Sequence, residues 1–276
     1  MSKLFDSDYI KSFHKDRFIR TKFTDQVFQE IDFIFQMAEL KKQRPSNLML
    51  IGESGAGKTS LLNEYCKKRP FTRKRRKDGI LKTKYVAMEM PVAATEKKLL
   101  VELLKAVGGS SRTSDPESSF DAVVEKIGLK AIIIDEFHNL LGAQKNNLVN
   151  TLNQLKRITN IPRISLVIAG TPAITRVLEF DEQFDKRFQR VVLPNWSESK
   201  DFKQFVVNYL ACLPLELPEK LPSAIFSELL NGPSTRTYDV VRILCQSAME
   251  ACNKDDISNL DKYIRKCAVR TANLDL

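Results

Sequence analysis

Two short stretches carry the residues that could do chemistry together. The first is Gly52, Glu53, Ser54, Gly55, Ala56, Gly57, Lys58, Thr59 and Ser60, a glycine-bearing loop that follows the apolar run Leu48 to Ile51 and opens into a helix. Gly52, Gly55 and Gly57 let the backbone curl until successive N–H groups face inward. The N-terminus of the following helix adds its partial positive charge, so the loop reads as a phosphate cradle. Lys58 is spaced to reach β- and γ-phosphates, and the Thr59 hydroxyl to bind Mg²⁺. Average residue frequencies give the pattern G-x4-G-K-[ST] by chance in roughly one chain in a hundred of this length.

The second stretch is Asp135-Glu136-Phe137-His138, which ends the fully apolar run Ala131 to Ile134. Open α/β sheets bind ligands where buried parallel strands deliver polar residues at their C-terminal edge. Asp135 is expected to hold Mg²⁺ through water, and Glu136 to polarise an attacking water in line with the γ-phosphate. His138 reads as a packing or capping residue. A polar residue on the neighbouring strand, Ser165 to Ala169, could touch the γ-phosphate or the water, and Thr171 in the closing Gly170-Thr171-Pro172 is the candidate.

These groups need elements to position them. Apolar spacing at Val27, Phe28, Ile31, Ile34, Phe35 and Ala38 predicts a helix, with Thr24 as its N-cap, that ends before Pro45. A strand is expected at Tyr85 to Met90, then a helix capped by Thr95 with Leu99, Leu100, Leu103 and Leu104 on one face. Further helices are expected at about Asn146 to Ile158 and through Ile174, Val177 and Leu178, and a fifth strand at Val191 to Leu193. From Ser197 only helices are predicted: Glu198–Leu210, Ala224–Leu230, Thr237–Ala251 and Ile257–Ala268, separated by proline-rich turns. The domains expected are an N-terminal arm and helix (1–44), an α/β nucleotide-binding domain (45–196) and a small helical lid (197–276).

Composition sets the remaining bounds. A chain of 276 residues, 43% apolar and 28% charged, suits one good core and a small satellite. No apolar run approaches the roughly 20 residues of a membrane span. The first residues lack the apolar segment of an export signal, and five scattered cysteines predict reduced thiols in a cytoplasm. The net charge of +10 is concentrated in residues 67–84, where ten basic residues stand against one acid. A solvated loop is the ordinary reading of such a run. Contact with a nucleic-acid backbone through Arg73, Lys74, Arg75 and Arg76 is slightly favoured here. Lys97 sits in a first helical turn, where a cation opposes the helix dipole, and Arg112 and Thr113 lie in the polar loop 108–119; each is a further candidate for phosphates.

Arg187 and Arg190 lie far in sequence from the phosphate loop, near the expected fifth strand. In an assembly an arginine placed there can reach a neighbour's γ-phosphate. Trp196 reads as core or interface. Arg236, just before a lid helix, could contact the nucleotide as a second sensor, with Arg242 as the alternative; surface placement suits either.

The stretches PSNLMLIGESGAGKT, KAIIIDEFHNLL, SLVIAGTPA, DEQFDKRFQRVVLPNW and LPLELPEKLP resemble, in order and spacing, the TniB/TnsC family of transposition regulators within the AAA+ ATPases. The resemblance covers most of the chain. It implies a parallel five-stranded sheet flanked by helices with a C-terminal helical lid, and ATP and Mg²⁺ as cofactors. It implies a homo-oligomer, ring or helical filament, on double-stranded DNA without sequence preference. A DDE transposase and a TniQ-like target-selection protein would be its partners, in the bacterial cytoplasm. By position, Lys58 and Thr59 fall in Walker A, Asp135 and Glu136 in Walker B, Thr171 at sensor 1 and Arg187 at the arginine finger. The family's DNA-contacting lysine falls near Lys97. Its glycine-arginine pair is not found where GPSTRTYDVVR stands. Two other readings remain open: an ATP-switched scaffold with negligible hydrolysis, and a signalling or loader ATPase acting on a protein.

Overall fold

Five short apolar runs separated by helical segments assemble as parallel strands, because each strand is followed by a helix that must cross back over the sheet. The structure is a computed structural model that describes residues 7–40, 46–68, 74–75, 81–82, 84–160, 163–219 and 221–274. Along the chain the first elements are α1 (Ser7–Phe13), α2 (Lys22–Glu39), β1 (Asn47–Ile51), α3 (Lys58–Lys68), β2 (Lys74–Arg75), β3 (Leu81–Lys82) and β4 (Tyr85–Glu89). Then come α4 (Glu96–Ala106), α5 (Pro116–Ile127), β5 (Ala131–Asp135), a 3₁₀ turn (Phe137–Gly142), α6 (Lys145–Asn160) and β6 (Ser165–Gly170). The last are α7 (Ile174–Leu178), α8 (Glu182–Asp185), β7 (Phe188–Val192), α9 (Lys200–Ala211), α10 (Ala224–Leu230), α11 (Thr237–Asn253) and α12 (Leu260–Leu274).

Contacts divide the chain into two units, one of Gln26–Ser54 and Lys58–Leu193, the other of Met1–Asp25, Gly55–Gly57 and Pro194–Leu276. The first is built on a parallel sheet in the order β4-β5-β6-β1-β7. Its register pairs Ile51 with Gly170 and Ile134 with Ile168, so β1, β5 and β6 finish at one edge. Met49, Ile51, Ile132, Ile134, Leu166 and Ile168 share a core with Leu99 and Leu103 of α4, Phe120 of α5 and Leu152 of α6. The alternating Leu48, Leu50, Ile133 and Val167 are equally buried, so both faces are covered, as a parallel sheet requires. Outside that core, the Tyr65 hydroxyl of α3 donates to Asp32 of α2 at 2.7 Å, and Phe35 stacks on Tyr85 at 4.3 Å.

Three local readings are corrected. Helix α2 is capped by Thr21, not Thr24: Thr21 Oγ1 accepts from the Thr24 N–H (3.2 Å) while Thr24 Oγ1 accepts from the Thr21 N–H (2.9 Å), a reciprocal pair in place of a single cap. The fifth strand begins at Phe188, so Arg190 lies within it and Arg187 just before it. The polar loop at 108–119 gives way at Pro116 to α5, whose Asp115 side chain caps the Ser118 N–H and whose Pro116 occupies the first turn.

The second unit is helical. The expected helices from Ser197 onward are present as α9 to α12, with boundaries shifted by a few residues. The N-terminal segment read as an arm contributes α1, whose Phe13 is fully buried with Phe202, Val206, Leu210, Ile243 and Leu244. Trp196, read as core or interface, stacks on Phe205 at 4.6 Å and is partly buried against the same cluster. Within this unit the Tyr238 N–H donates to the Gly55 carbonyl at 2.9 Å. Among the described residues no disulfide joins the cysteines, and burial pushes the Cys66 thiol up to about 11. Among the described residues no helix is long and apolar enough to cross a membrane.

Candidate functional site

Of the three glycines expected to let the loop between β1 and α3 curl, Gly55 and Gly57 adopt a positive φ and Gly52 does not. Gly55 and Gly57 have φ of +81° and +100°, a region that side chains disfavour. A Cβ at Gly55 would also lie 3.1 Å from Tyr238 Cβ. Lys58, the first residue of α3, is only 5% exposed, and its ammonium donates to the carbonyls of Gly52 (2.8 Å) and Glu53 (3.0 Å). Burial holds it below the ordinary lysine range, while Glu136, Asp135 and Glu53 draw it back up. Of the remaining loop positions, Ala56 is buried, whereas Ser54 and Ser60 are exposed.

The two stretches meet. Thr59 Oγ1 donates to Asp135 Oδ2 at 2.6 Å across 76 positions of sequence, which brings a hydroxyl and a carboxylate to one point at the sheet edge. The other Asp135 oxygen, Oδ1, accepts from the Glu136 N–H at 2.8 Å. Glu136 sits in the left-handed region (φ 51°, ψ 36°) as the residue before the 3₁₀ turn. For a residue with a side chain this conformation costs about 1 kcal/mol, and such strain gathers at working sites. The Gly52 N–H donates to the Gly170 carbonyl at 3.2 Å, placing the end of β6, and Thr171 immediately after it, beside the start of the loop.

His138, read as a packing or capping residue, packs against Gly170 at the end of β6 and also faces the acidic pair. Its Nε2 lies 3.4 Å from Glu136 Oε2, and its Nδ1 is buried with no hydrogen-bond partner among the described residues.

Three of the four candidate arginines are engaged. Arg187 Nη1 donates to Asn160 Oδ1 at 2.8 Å at the end of α6, and Arg190 pairs with Asp185 at 2.5 Å. In the helical unit Arg236 Nε donates to Ser234 Oγ (2.9 Å) and to buried Asp239 (2.7 Å). Arg242 instead has Nε and Nη2 buried without a partner among the described residues, with the Tyr238 ring 5.9 Å away.

Arg73 and Arg76 lie outside the described residues, and Lys74 and Arg75 form β2, antiparallel to β3. Lys97 and Arg112 are exposed. The Thr113 hydroxyl is occupied locally, 2.8 Å from Ser119 Oγ and 3.1 Å from the Asp115 carbonyl, at the start of α5.

A glycine loop after a central parallel strand, with an acidic pair ending the strand one place removed, is the arrangement of a P-loop NTPase of the AAA+ class. The fold is similar to that of the *Aeropyrum pernix* ORC2 protein solved as ADPNP-ADP complexes, with a TM-score of 0.69 and 15% identity, covering 94% of this chain and 71% of that one. Within the class the chain belongs to the family described as Bacterial TniB protein, whose model matches residues 9–198. The *Aeropyrum pernix* ORC1 protein, solved in complex with DNA, aligns with a TM-score of 0.63 at 14% identity, over 95% of this chain and 69% of that one. A probable ATP-dependent Clp protease ATP-binding subunit of *Chlamydia pneumoniae* is 26% identical over 160 residues. That match takes in 56% of this chain and 17% of the relative, so the chain spans about a sixth of its length.

Proposed function

We propose that this protein is an ATP-dependent transposition regulator that oligomerises on double-stranded DNA and links target selection to recruitment of a transposase. In this reading ATP binding builds the assembly and hydrolysis dismantles it. The observation that supports it most is the 2.6 Å contact between Thr59 and Asp135 beside Glu136, in a chain of the TniB family.

The donor set fits Mg²⁺, since a hydroxyl and a carboxylate are hard oxygen ligands. Among the described residues no group of three or more metal-binding side chains exists, so phosphate oxygens of the nucleotide would complete the shell. The loop fits a phosphate chain, since positive φ at Gly55 and Gly57 turns backbone N–H groups inward. Mg²⁺ would neutralise charge on the β- and γ-oxygens. Thr59 and Asp135 would hold it. Lys58 would exchange its two carbonyl partners for phosphate oxygens, Glu136 would accept the proton of the attacking water, and Thr171 would orient that water. Arg187, extended from Asn160, would serve the site of an adjacent subunit, and Arg236 would contribute through its terminal nitrogens. The basic run 67–84 would follow the DNA backbone, with selection of the site left to a TniQ-like partner and chemistry to a DDE transposase.

Glu136→Gln tests this reading. The variant should still assemble on duplex DNA when ATP is supplied, with phosphate release abolished; normal turnover would remove the role given to Glu136. The match to a Clp ATP-binding subunit favours a second reading, an ATPase acting on a protein partner. Neutralising Arg73, Lys74, Arg75 and Arg76 separates them, since only the DNA reading expects weaker, less salt-dependent duplex binding.

A further inference from the structure

The imidazole of His138 lies between two strand ends that the proposed chemistry uses. On one side its Nε2 is 3.4 Å from Glu136 Oε2. On the other it rests against Gly170 at the end of β6, where a Cβ would come within 3.3 Å of Nδ1 and 3.4 Å of the His138 backbone nitrogen. The side chains of His138 and Glu136 are 25% and 32% exposed, so the pair is partly withdrawn from water. Nδ1 is buried and meets no acceptor among the described residues. A proton on Nδ1 would therefore be unsatisfied, which favours the tautomer with the proton on Nε2, facing the carboxylate.

We infer that His138 is a positioning residue for Glu136: its Nε2–H anchors one carboxylate oxygen and leaves the other aimed at the water to be activated. The inference rests on the hydrolytic role proposed for Glu136. A glutamate in the left-handed region at the head of a tight turn has several side-chain rotamers open to it, and only some direct an oxygen at the site. The imidazole, itself confined by Gly170, selects among them. At 3.4 Å the contact is longer than a formed hydrogen bond of about 2.7–3.2 Å, and catalytic contacts of this kind tighten in the substrate complex. The histidine touches no reacting atom in this scheme; it acts through the glutamate alone.

The test compares Glu136→Gln, His138→Ala and His138→Gln in the full chain, with steady-state phosphate release, ATP affinity and thermal melting read for each. Gln places an amide N–H near the position of Nε2. Misplacement of a catalytic group by about 1 Å can cost up to about 100-fold, so loss of this restraint, with a smaller average displacement, should lower kcat about 10-fold. His138→Ala is expected to show that loss with KM, ATP affinity and melting unchanged, and His138→Gln to recover to within about threefold of the parent. Parental turnover in His138→Ala, with Glu136→Gln inactive, would overturn the inference and leave the role of Glu136 standing. Equal loss in both histidine variants, or loss accompanied by weaker ATP binding or a lower melting point, would overturn it in favour of simple packing. Full turnover in Glu136→Gln would overturn the functional reading and this inference together.

Discussion

Replacing Thr59 by valine keeps the shape of the side chain and deletes one hydroxyl, so it separates what that group does for the fold from what it does for the metal. In the structure Thr59 Oγ1 donates to Asp135 Oδ2 at 2.6 Å. A hydrogen bond to a charged acceptor can be worth more than the usual 1 kcal/mol or so, but Thr59 is exposed and water can take the donor's place. Asp135 also keeps the Glu136 N–H on its other oxygen. The expected loss of stability is therefore about 0.5–1 kcal/mol, or about 2–4 °C in Tm for the upper figure in a protein of this size. If the hydroxyl is a metal ligand, a methyl now stands at a coordination position, and turnover should fall about 100-fold, equivalent to about 2.7 kcal/mol of transition-state stabilisation. Thr59→Ser should stay within about threefold of the parent. The assay is phosphate release across a Mg²⁺ titration, with thermal melting of each variant alongside. Turnover of Thr59→Val within threefold of the parent at every Mg²⁺ concentration would refute the assignment, however its Tm moved.

Other outcomes follow from neighbouring parts. The folded-state pKa of Lys58 is depressed by burial, so its charged form costs stability at neutral pH. That cost fades as pH rises through the folded value toward the unfolded value near 10.5. Urea unfolding between pH 7 and 10 should show the parent gaining on Lys58→Met as pH increases; a constant difference would contradict this. Arg187→Ala loses the contacts to Asn160 Oδ1 and, at 3.4 Å, to Thr159 Oγ1, and should lower stability by no more than about 1 kcal/mol. ATP binding at low protein concentration should be unchanged, while DNA-stimulated hydrolysis should collapse if the guanidinium serves a neighbouring subunit. Phe13→Ala empties a fully buried site and should cost about 3–5 kcal/mol. Trp196, the single tryptophan, packs against the same core and reports that loss by fluorescence. A Phe13→Ala variant as stable as the parent would place α1 outside the core.

Much of the α/β unit was legible because its signals are local. The apolar runs of β1, β5 and β6, the glycine loop, and the Thr95 cap with its four leucines each declare themselves within about ten residues, and each is where it was expected. What escaped depends on partners distant in sequence or on turn geometry. Phe13 gives no helical period worth the name, yet its burial is decided by α9 and α11, some two hundred residues later. The Asp115-Pro116 start of α5 was readable as a cap followed by a first-turn proline, but the serines and glycines before it spoke for a loop. The engagement of Arg236 with Asp239 was available from their i, i+3 spacing. The contact of His138 with Glu136 was harder, since nothing in DEFH announces that the backbone turns left-handed at the glutamate.

The helical core is discontinuous in the chain, and this sets an order of assembly. Cys245 Sγ lies 3.5 Å from the Phe13 carbonyl across 232 positions, and Arg17 Nε donates to the Cys212 carbonyl at 2.9 Å. Closing a loop of that length is entropically unfavourable until the intervening chain has condensed. On a ribosome, therefore, the sheet would be complete while α1 still waited for a partner not yet synthesised. The apolar side of that first helix is the surface a nascent chain of this protein must keep from wandering longest.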